Sequence, residues 1–325
     1  MTIKLTDVAK KAGVSPTTVS RVINNYGSLS QKTIDKVHQA MDELNYIPNS
    51  LARSLQGKGT QLIGLIFPSI SNPFYGELVE KIEENLFNQG YKVILCDSAR
   101  DKEKERSYLK MLIGNKVDGI ITGSHNLGIK EYENVSLPIV SFDRHLGESI
   151  PIVGSDNFLG GQLATQTLID AKCQNIAIFS GKNDSLSPTN RRVDGYRSAI
   201  SENKLTEHVF HFPTPVSPII KSTKIKQILE ENQFDGIFCT DDLTAILAMQ
   251  QLDKLELKVP QDVKIVGYDG TQFIQNYYPQ LSTIAQPIPD YANLLVELLL
   301  KKIKNPEKEI KNFELPVKII KSNTV

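Results

Sequence analysis

Residues 13–25 place short polar side chains and one guanidinium around an apolar helical stripe. Val19, Val22 and Ile23 recur at helical spacing and are therefore predicted to be buried on one side. The side chains left outside that stripe are those of Thr17, Thr18, Ser20, Arg21 and Asn24. Such a set can hydrogen-bond to the base edges and phosphates of DNA. Taken alone, the same pattern also fits a small amphipathic surface helix.

The flanking residues predict the helices that would position this face. Ser15 is a favourable N-cap, and Pro16 suits the first helical position, where a missing N–H costs nothing. Upstream, Thr6 is expected to cap a helix that ends at Gly13, and downstream Ser30 is expected to cap a third helix. The first two helices and the short glycine-containing turn between them have the order of a helix-turn-helix.

The charge distribution separates this segment from the rest of the chain. The whole sequence contains 37 basic and 37 acidic residues. Residues 1–60 hold eight basic and four acidic side chains, a net charge of +4, which leaves −4 on the remainder. A basic head on an acidic body favours phosphate contact at one end of the chain only.

Cysteine usage and hydropathy narrow the cellular setting. Cys96, Cys173 and Cys239 are odd in number and widely spaced in apolar runs, which predicts buried free thiols rather than disulfides or a metal site. Free thiols fit a reducing cytoplasm. The N-terminus lacks the apolar core of a signal peptide, and no apolar run approaches membrane-spanning length. We therefore expect a cytoplasmic protein that has no membrane segment, metal or cofactor.

From Leu62 onward the sequence alternates strands with helices. Residues 62–67 form a continuous apolar run, which is typical of a strand buried on both faces. Further strands are predicted at 92–96, 119–122, 139–142, 175–179, 236–239 and 263–267. The series restarts near Asn175, and about nine strands in all are many for one open sheet. The sequence therefore predicts an α/β fold with two lobes of parallel sheet, flanked by helices, and a cleft between them.

The segment between head and body can be interpreted in two ways. Residues 49–56 are too few to persist as an isolated helix in water. Gly57 and Gly59 favour a flexible linker. The alternative is a segment that becomes helical only when another structure holds it.

A series of motifs follows in order along both parts of the chain. They occupy residues 5–9, 13–15, 18–24, 44–49, 52–55, 63–66, 71–75, 117–121, 192–196, 241–242 and 266–269. Together they resemble the lactose-repressor family of bacterial transcription regulators over the full length. Within that family, residues 53–58, 123–129 and 267–271 are most similar to the sucrose operon repressors of Gram-positive bacteria.

The resemblance implies a domain division. Residues 1–46 would be the three-helix DNA-binding head and 47–60 a hinge helix or linker. Residues 61–325 would form a two-lobed core, similar to periplasmic binding proteins, for effector binding and dimerisation. Its N-lobe would comprise about 61–160 plus about 288–325, and its C-lobe about 161–287. No leucine heptads follow the core, so we expect a homodimer on palindromic double-stranded operator DNA.

The resemblance also assigns DNA contacts. Pro16, Thr17 and Arg21 would face base edges in the major groove, where Arg21 can bond bidentately to guanine. Pro16 can give only apolar contact, which departs from relatives with a polar residue there. Caps or phosphate contacts are expected from Thr6, Ser15, Thr18, Ser20, Asn24 and Ser30. In the hinge, Asn49, Leu51, Ala52 and Leu55 would contact DNA, with Leu55 as an apolar wedge in the minor groove.

For the cleft, the resemblance places Phe74 and Tyr75 on one wall and Arg192, Asp241 and Asp269 on the other. An aromatic ring packs on the apolar face of a pyranose, while arginine and aspartate bond to neighbouring hydroxyls. Further candidates are Asn72, Asp143 and Arg144, with Ser69 by position only. Asp242 is expected to cap its helix.

Two alternatives stay open for these cleft residues. The aromatic side chains could belong to the core, and Arg192 and Asp269 could pair with each other across the lobes.

The function predicted from these observations is repression of a sugar-utilisation operon, specifically sucrose, relieved by a small sugar or sugar phosphate. One alternative is a family regulator that uses a protein or purine corepressor. Others are a transport-type sugar-binding protein and a glycosidase with two of Asp143, Asp156, Asp241 and Asp269 as acid and base. The sequence contains no histidine–metal spacing and no nucleophile elbow, so we do not expect an enzyme.

Overall fold

Two units, residues 1–60 and 61–325, make up the chain. The computed structural model describes residues 3–23, 26–47, 59–124, 126, 128–181, 187–213 and 216–325. No helix among them is long and apolar enough to cross a membrane. The same residues include no group of three or more His, Cys, Asp or Glu side chains placed to hold a metal ion. Cys96, Cys173 and Cys239 are buried free thiols, as predicted.

The first unit contains three helices, α1 (Leu5–Ala12), α2 (Pro16–Ile23) and α3 (Gln31–Glu43). They share one core, formed by the buried side chains of Val8, Ala9, Val19, Val22, Val37 and Ala40. Gly13 ends α1 with a φ of +65°, a conformation that glycine adopts without steric cost.

Two of the three helix N-caps that the sequence predicts for the head are present in the structure. The Ser15 hydroxyl accepts from the Thr18 N–H at 3.1 Å, and the Ser30 hydroxyl accepts from the Thr33 N–H at 3.3 Å. The predicted cap at Thr6 is wrong because α1 starts earlier, and Thr6 lies inside its first turn. There the Asp7 carboxylate accepts from the Lys4 N–H at 2.8 Å.

The first lobe of the second unit is a six-stranded parallel sheet in the order β11-β5-β4-β3-β1-β2. Its strands are β1 (Leu62–Phe67), β2 (Lys92–Asp97), β3 (Gly119–Thr122), β4 (Ile139–Phe142), β5 (Ile152–Ser155) and β11 (Phe313–Leu315). Its helices are α4 (Pro73–Asn88), α5 (Lys102–Gly114) and α11 (Ile288–Lys304), with a 3-10 helix at Lys130–Asn134. Ile63, Leu65 and Phe67 pack under α4 and α11, while Ile66 joins the cluster under α5.

The second lobe has the order β12-β10-β9-β8-β6-β7, with β12 antiparallel to β10. Its strands are β6 (Ile176–Gly181), β7 (His208–Phe212), β8 (Gly236–Cys239), β9 (Lys264–Asp269), β10 (Ser282–Ala285) and β12 (Lys318–Ile320). Its helices are α6 (Asn157–Asp170), α7 (Arg191–Glu202), α8 (Pro218–Glu231), α9 (Asp242–Lys254) and α10 (Gln272–Tyr277), with a 3-10 helix at Pro188–Asn190. The predicted two-lobed α/β class is therefore confirmed.

The chain passes between the lobes at 155–157, 285–288 and 315–318. The third passage corrects the predicted N-lobe segment 288–325, because β12 and the residues after it belong to the second sheet. Thr324 fixes this end of the chain, since its hydroxyl accepts from the Ser282 N–H at 2.8 Å and donates to the Ile265 carbonyl at 2.7 Å.

Candidate functional site

A cleft of about 530 Å3 opens at the carboxyl ends of strands from both sheets. The first lobe contributes Asn72, Phe74, Tyr75, Arg100, Phe142 and Asp143. The polar lining on the second lobe includes Thr189, Arg192, Lys221, Thr240, Asp241 and Asp269, and Gln286 lies at a passage between the lobes. This is where open parallel α/β sheets bind ligands.

Phe74 and Tyr75 are held by the start of α4. The Asn72 side chain caps that helix by accepting from the Phe74 N–H at 2.9 Å. Phe74 belongs to the first-lobe core and also lines the cleft, so the two predicted alternatives for it coexist. Its ring lies 5.4 Å from that of Tyr75 and 5.7 Å from that of Phe142. Burial raises the pKa of Tyr75 to about 12, so its hydroxyl stays protonated and can donate.

Arg192 enters the cleft near the start of α7, where it is fixed from several sides. Its Nε donates to Asn157 Oδ1 at 2.7 Å, and its Nη1 donates to the Thr240 carbonyl at 2.6 Å. The guanidinium lies 3.6 Å from the ring centroid of Tyr268, a cation–π geometry. Asp269 is 4.0 Å away. The two side chains therefore do pair, as one of the alternatives had it, but both belong to the second lobe, so the pair does not cross between the lobes.

Asp269 ends β9 in a backbone conformation that is rare for a residue with a side chain, with a φ of +121°. Its carboxylate accepts from Gln286 Nε2 at 2.8 Å. Burial raises the pKa of Asp269 to about 7, while the charge of Arg192 opposes the rise. Near neutral pH this carboxyl group is therefore present in both forms, one that accepts and one that can also donate to a hydroxyl.

Asp241 lines the cleft and also takes the capping role that the sequence suggested for Asp242. Asp241 caps α9, because Oδ1 accepts from the Thr244 N–H at 2.7 Å, and its other oxygen is 3.8 Å from Lys221 Nζ. Asp242 is buried and accepts from the Gly270 N–H at 2.8 Å and the Thr283 hydroxyl at 2.6 Å. The predicted cap at Asp242 is wrong, since its carboxylate points back between β9 and β10.

Arg144 and Ser69 do not line the cleft, whereas Asp143 does. Arg144 is buried behind it and donates from Nη1 to Asp143 Oδ2 at 3.1 Å. The Ser69 hydroxyl is 2.9 Å from that of Ser71. The polar lining residues that the sequence reasoning missed are Arg100, Thr189, Lys221, Thr240 and Gln286. Arg100, Thr240 and Gln286 follow strand ends closely, so the strand-end rule for parallel sheets could have found them.

In the head, Pro16, Thr17 and Arg21 are exposed on α2. Among the described residues, no carboxylate lies within ion-pair distance of Arg21, so its guanidinium is available to an external partner. Of the other predicted DNA contacts, Ser15 and Ser30 are exposed caps and Ser20 is half-buried. Asn24, Asn49, Leu51, Ala52 and Leu55 lie outside the described residues.

A helix-turn-helix head and a two-lobed ligand cleft in one chain define the class of ligand-responsive DNA-binding regulators. Residues 4–49 match the family described as "Bacterial regulatory proteins, lacI family". Residues 165–325 match a "Periplasmic binding protein-like domain".

Known proteins match all or most of the chain. A "Sucrose operon repressor" from Pediococcus pentosaceus is 55% identical over 99% of both chains. The lac repressor dimer bound to operator and the anti-inducer ONPF has a TM-score of 0.85 and 27% identity, covering 100% of this chain and 99% of that one. A LacI transcriptional regulator from Alkaliphilus metalliredigens, complexed with D-xylulofuranose, has a TM-score of 0.74 and 33% identity over 82% of this chain and 99% of that one. The chain belongs to the lacI family of bacterial regulatory proteins, and it is a transcription regulator rather than an enzyme.

Proposed function

We propose that this protein represses a sucrose-utilisation operon, binds palindromic operator DNA as a homodimer, and releases it when a small sugar or sugar phosphate enters the cleft. The observation that carries the proposal is the 55% identity over 99% of the chain to a protein named as a sucrose operon repressor. The lac repressor relative of known structure is itself a dimer on its operator, which supports the same assembly here.

The proposed division is a DNA-binding head at 1–46, a hinge at 47–60 and the effector core beyond. In the head, Arg21 would bond to guanine and Thr17 would add a smaller contact, while Pro16 only starts the helix. Thr6, Ser15, Ser20, Asn24 and Ser30 would bond to phosphates, which position the protein without specifying sequence. A cytoplasmic location is part of the same proposal, since the DNA is there.

The hinge supplies a separate test of the DNA side. Leu55, with Asn49, Leu51 and Ala52, is proposed to enter the minor groove, where an apolar wedge trades unstacking energy for a bent duplex. Leu55→Ala should therefore lose at least tenfold in operator affinity while its sugar affinity stays unchanged. Fluorescence anisotropy with a labelled operator measures the first and calorimetry the second. Undiminished operator binding by this variant would remove the wedge from the mechanism.

The cleft is proposed to bind the sugar between Phe74, Tyr75 and Asn72 on the first lobe and Arg192, Asp241 and Asp269 on the second, with Asp143 beside them. The arrangement suits hydroxyl groups because carboxylates and a fixed guanidinium form charge-assisted hydrogen bonds. Tyr75 and the buried Phe74 offer apolar ring surface.

Release would follow from different ligand affinity for two arrangements of the lobes. In the observed arrangement, Glu77 on α4 accepts from the Gln272 N–H of the second lobe at 2.8 Å, so the lobes already touch beside the cleft. A ligand that favours another arrangement would shift the dimer interface and separate the hinge segments.

The deciding experiment is an operator-binding titration. The full chain is bound to a labelled palindromic operator duplex, and sucrose, fructose, glucose and their phosphates are added in turn. We expect at least one of them to release the DNA. Release by a purine alone, or binding that requires a second protein, would replace the sugar-repressor function with that of a corepressor-dependent regulator. A second assay separates binding from hydrolysis. The protein is incubated with sucrose, and we expect no monosaccharide to be released.

A further inference from the structure

Three carboxylates line the cleft, and each has a cation beside it. The pairs are Arg192 with Asp269 at 4.0 Å, Lys221 with Asp241 at 3.8 Å, and Arg144 with Asp143 at 3.1 Å. Each of these carboxyl groups therefore already has a cation of the protein beside it before any ligand binds.

Arg100 is a further cation of the cleft. It lies on the first-lobe wall, next to Tyr75. Within the described part of the chain, its side chain has no hydrogen bond or ion pair. Among the residues that the structure describes, no carboxylate lies within ion-pair distance of this fourth cation of the cleft. A neutral sugar would leave this charge without a counterpart, whereas an anionic sugar would not.

The backbone that carries Arg100 is strained and fixed. Ala99 and Arg100 have φ angles of +49° and +59°, in the left-handed region that side chains disfavour. Hydrogen bonds hold the loop: the Ala99 N–H donates to Asp97 Oδ1 at 2.8 Å and the Asp101 N–H to the Ser98 carbonyl at 2.8 Å. Strained backbone that its surroundings over-determine clusters at ligand sites.

The adjacent helix does not provide the anion site by itself. Asp101 caps α5 and already accepts from the Glu103 and Lys104 N–H groups at 2.8 and 3.1 Å. The capacity to bind an anion therefore rests on the Arg100 guanidinium, which can bond to two oxygens of a phosphate at once.

We infer that the ligand is a hexose phosphate whose phosphate group is bound by Arg100. The inference rests on the proposed function of the cleft as the sugar site. Arg100 stands on the first lobe, whereas Asp241 and Asp269 are on the second. A phosphate ester extends from the ring on a flexible exocyclic arm and can reach the first lobe, while a uronate carboxylate is attached directly to the ring. A volume of about 530 Å3 is large enough for a hexose phosphate.

Titration calorimetry on the full chain tests this with D-fructose, D-glucose, their 6-phosphates, D-glucuronate and inorganic phosphate. The parent protein should bind at least one hexose phosphate about tenfold or more tightly than the parent hexose, as a charge-assisted bond provides. Arg100→Gln should remove that preference by weakening the hexose phosphate about tenfold or more, with a much smaller effect on the free hexose. Arg106→Gln, on the adjacent helix α5 and outside the cleft, is the matched control and should behave as the parent.

The outcomes separate this inference from the proposed function. Binding of a free hexose with no gain from phosphate, or equal losses for both forms in Arg100→Gln, overturns the role of Arg100 alone. Tighter binding of glucuronate than of either hexose phosphate overturns the phosphate assignment. Binding of none of these compounds, together with no release of operator DNA by any sugar, overturns the inference and the proposed function together.

Discussion

Asp269 is the residue at which stability and ligand binding conflict most clearly. Its carboxyl group is buried against Arg192 and Gln286, and its pKa is raised from 3.8 to about 7. The folded protein therefore holds this proton more tightly than the unfolded chain does. The resulting stabilisation is complete below pH 3.8 and is lost as the pH rises to about 7.

Asp269→Asn should consequently be more stable than the parent at pH 8 and nearly equal to it at pH 4, because an amide resembles the protonated acid. The difference at pH 8 should not exceed about 4 kcal/mol, the equivalent of the pKa shift. Urea unfolding at several pH values measures it, with the exposed Asp253→Asn as control. A variant that is less stable than the parent at pH 8 would mean that the Arg192 pair outweighs the burial. Sugar binding by Asp269→Asn should be lost.

Most cleft residues on the first lobe were predictable because they lie in a recognisable motif in the segment after an apolar strand, as Phe74 and Tyr75 do. Arg100 also follows a strand end, but nothing in the local sequence marks the left-handed backbone conformation that it adopts. The sequence also could not show which of Asp241 and Asp242 caps the helix. Either can cap the helix, and only the buried N–H of Gly270 and the hydroxyl of Thr283 decide which one turns inward.

At the scale of the elements, the close packing of α6 against α7 determines the position of Arg192. Gly161 on α6 and Gly195 on α7 bring the two backbones into contact, and a Cβ at Gly161 would overlap the Arg192 carbonyl. Any side chain at this position must therefore displace the start of α7, which carries Arg192.

Gly161→Ala should therefore destabilise the core by about 2 kcal/mol or more, since overpacking against backbone has little room to relax. It should also weaken sugar binding by displacing Arg192. Thermal unfolding and calorimetry measure the two effects. The control is Gly114→Ala at the end of α5, where an added Cβ meets nothing within 4 Å and stability should be unchanged or slightly higher. Equal behaviour of the two variants would contradict the close helix contact.

A buried chain of hydrogen bonds joins the cleft to the passages between the lobes. Gln286 donates to Asp269, and its side-chain carbonyl accepts from the Ser155 hydroxyl, which is also 2.8 Å from the Tyr291 hydroxyl on α11. Ser155 and Gln286 lie at two different passages. A change at the Asp269 carboxylate therefore reaches the first lobe through polar contacts.

Ser155→Ala should cost about 1–3 kcal/mol, because it leaves buried polar groups of Gln286 and Tyr291 without that partner. It should also reduce the factor by which sugar weakens operator binding, more than it reduces sugar affinity itself. Ser141→Ala is the matched control, since Ser141 is a buried serine of the same sheet whose hydroxyl has no partner within the described structure. An unchanged coupling factor in Ser155→Ala would remove this chain from the release mechanism.

The long apolar strands were predictable, whereas β5, β7, β10, β11 and β12 were not. β10 illustrates the reason. Its residues Ser282 and Thr283 are polar yet fully buried, since Ser282 pairs with Thr324 near the end of the chain and Thr283 donates to Asp242. Partners that lie more than 40 positions away satisfy these groups, and no local pattern reveals them.

At the scale of the whole molecule, the proposed function requires that operator binding by the head and sugar binding by the core are energetically coupled. A sugar that lowers operator affinity by some factor must itself be bound more weakly by the operator complex, and by the same factor. This reciprocity holds whichever path the coupling takes. It also separates true allosteric release from a sugar preparation that merely perturbs the assay.

We therefore expect the effective sugar to bind the free protein about 5- to 150-fold more tightly than the protein saturated with operator, the usual range for coupled sites. Calorimetry with and without operator measures the two sugar affinities, and anisotropy with and without sugar gives the matching pair for DNA. Two controls show that the effect depends on the specific complex. One is a scrambled duplex of equal length, and the other is the variant Arg21→Ala, which should lose specific operator binding. Sugar affinity that is identical with and without operator, while the sugar still releases DNA, would place the releasing site outside this cleft.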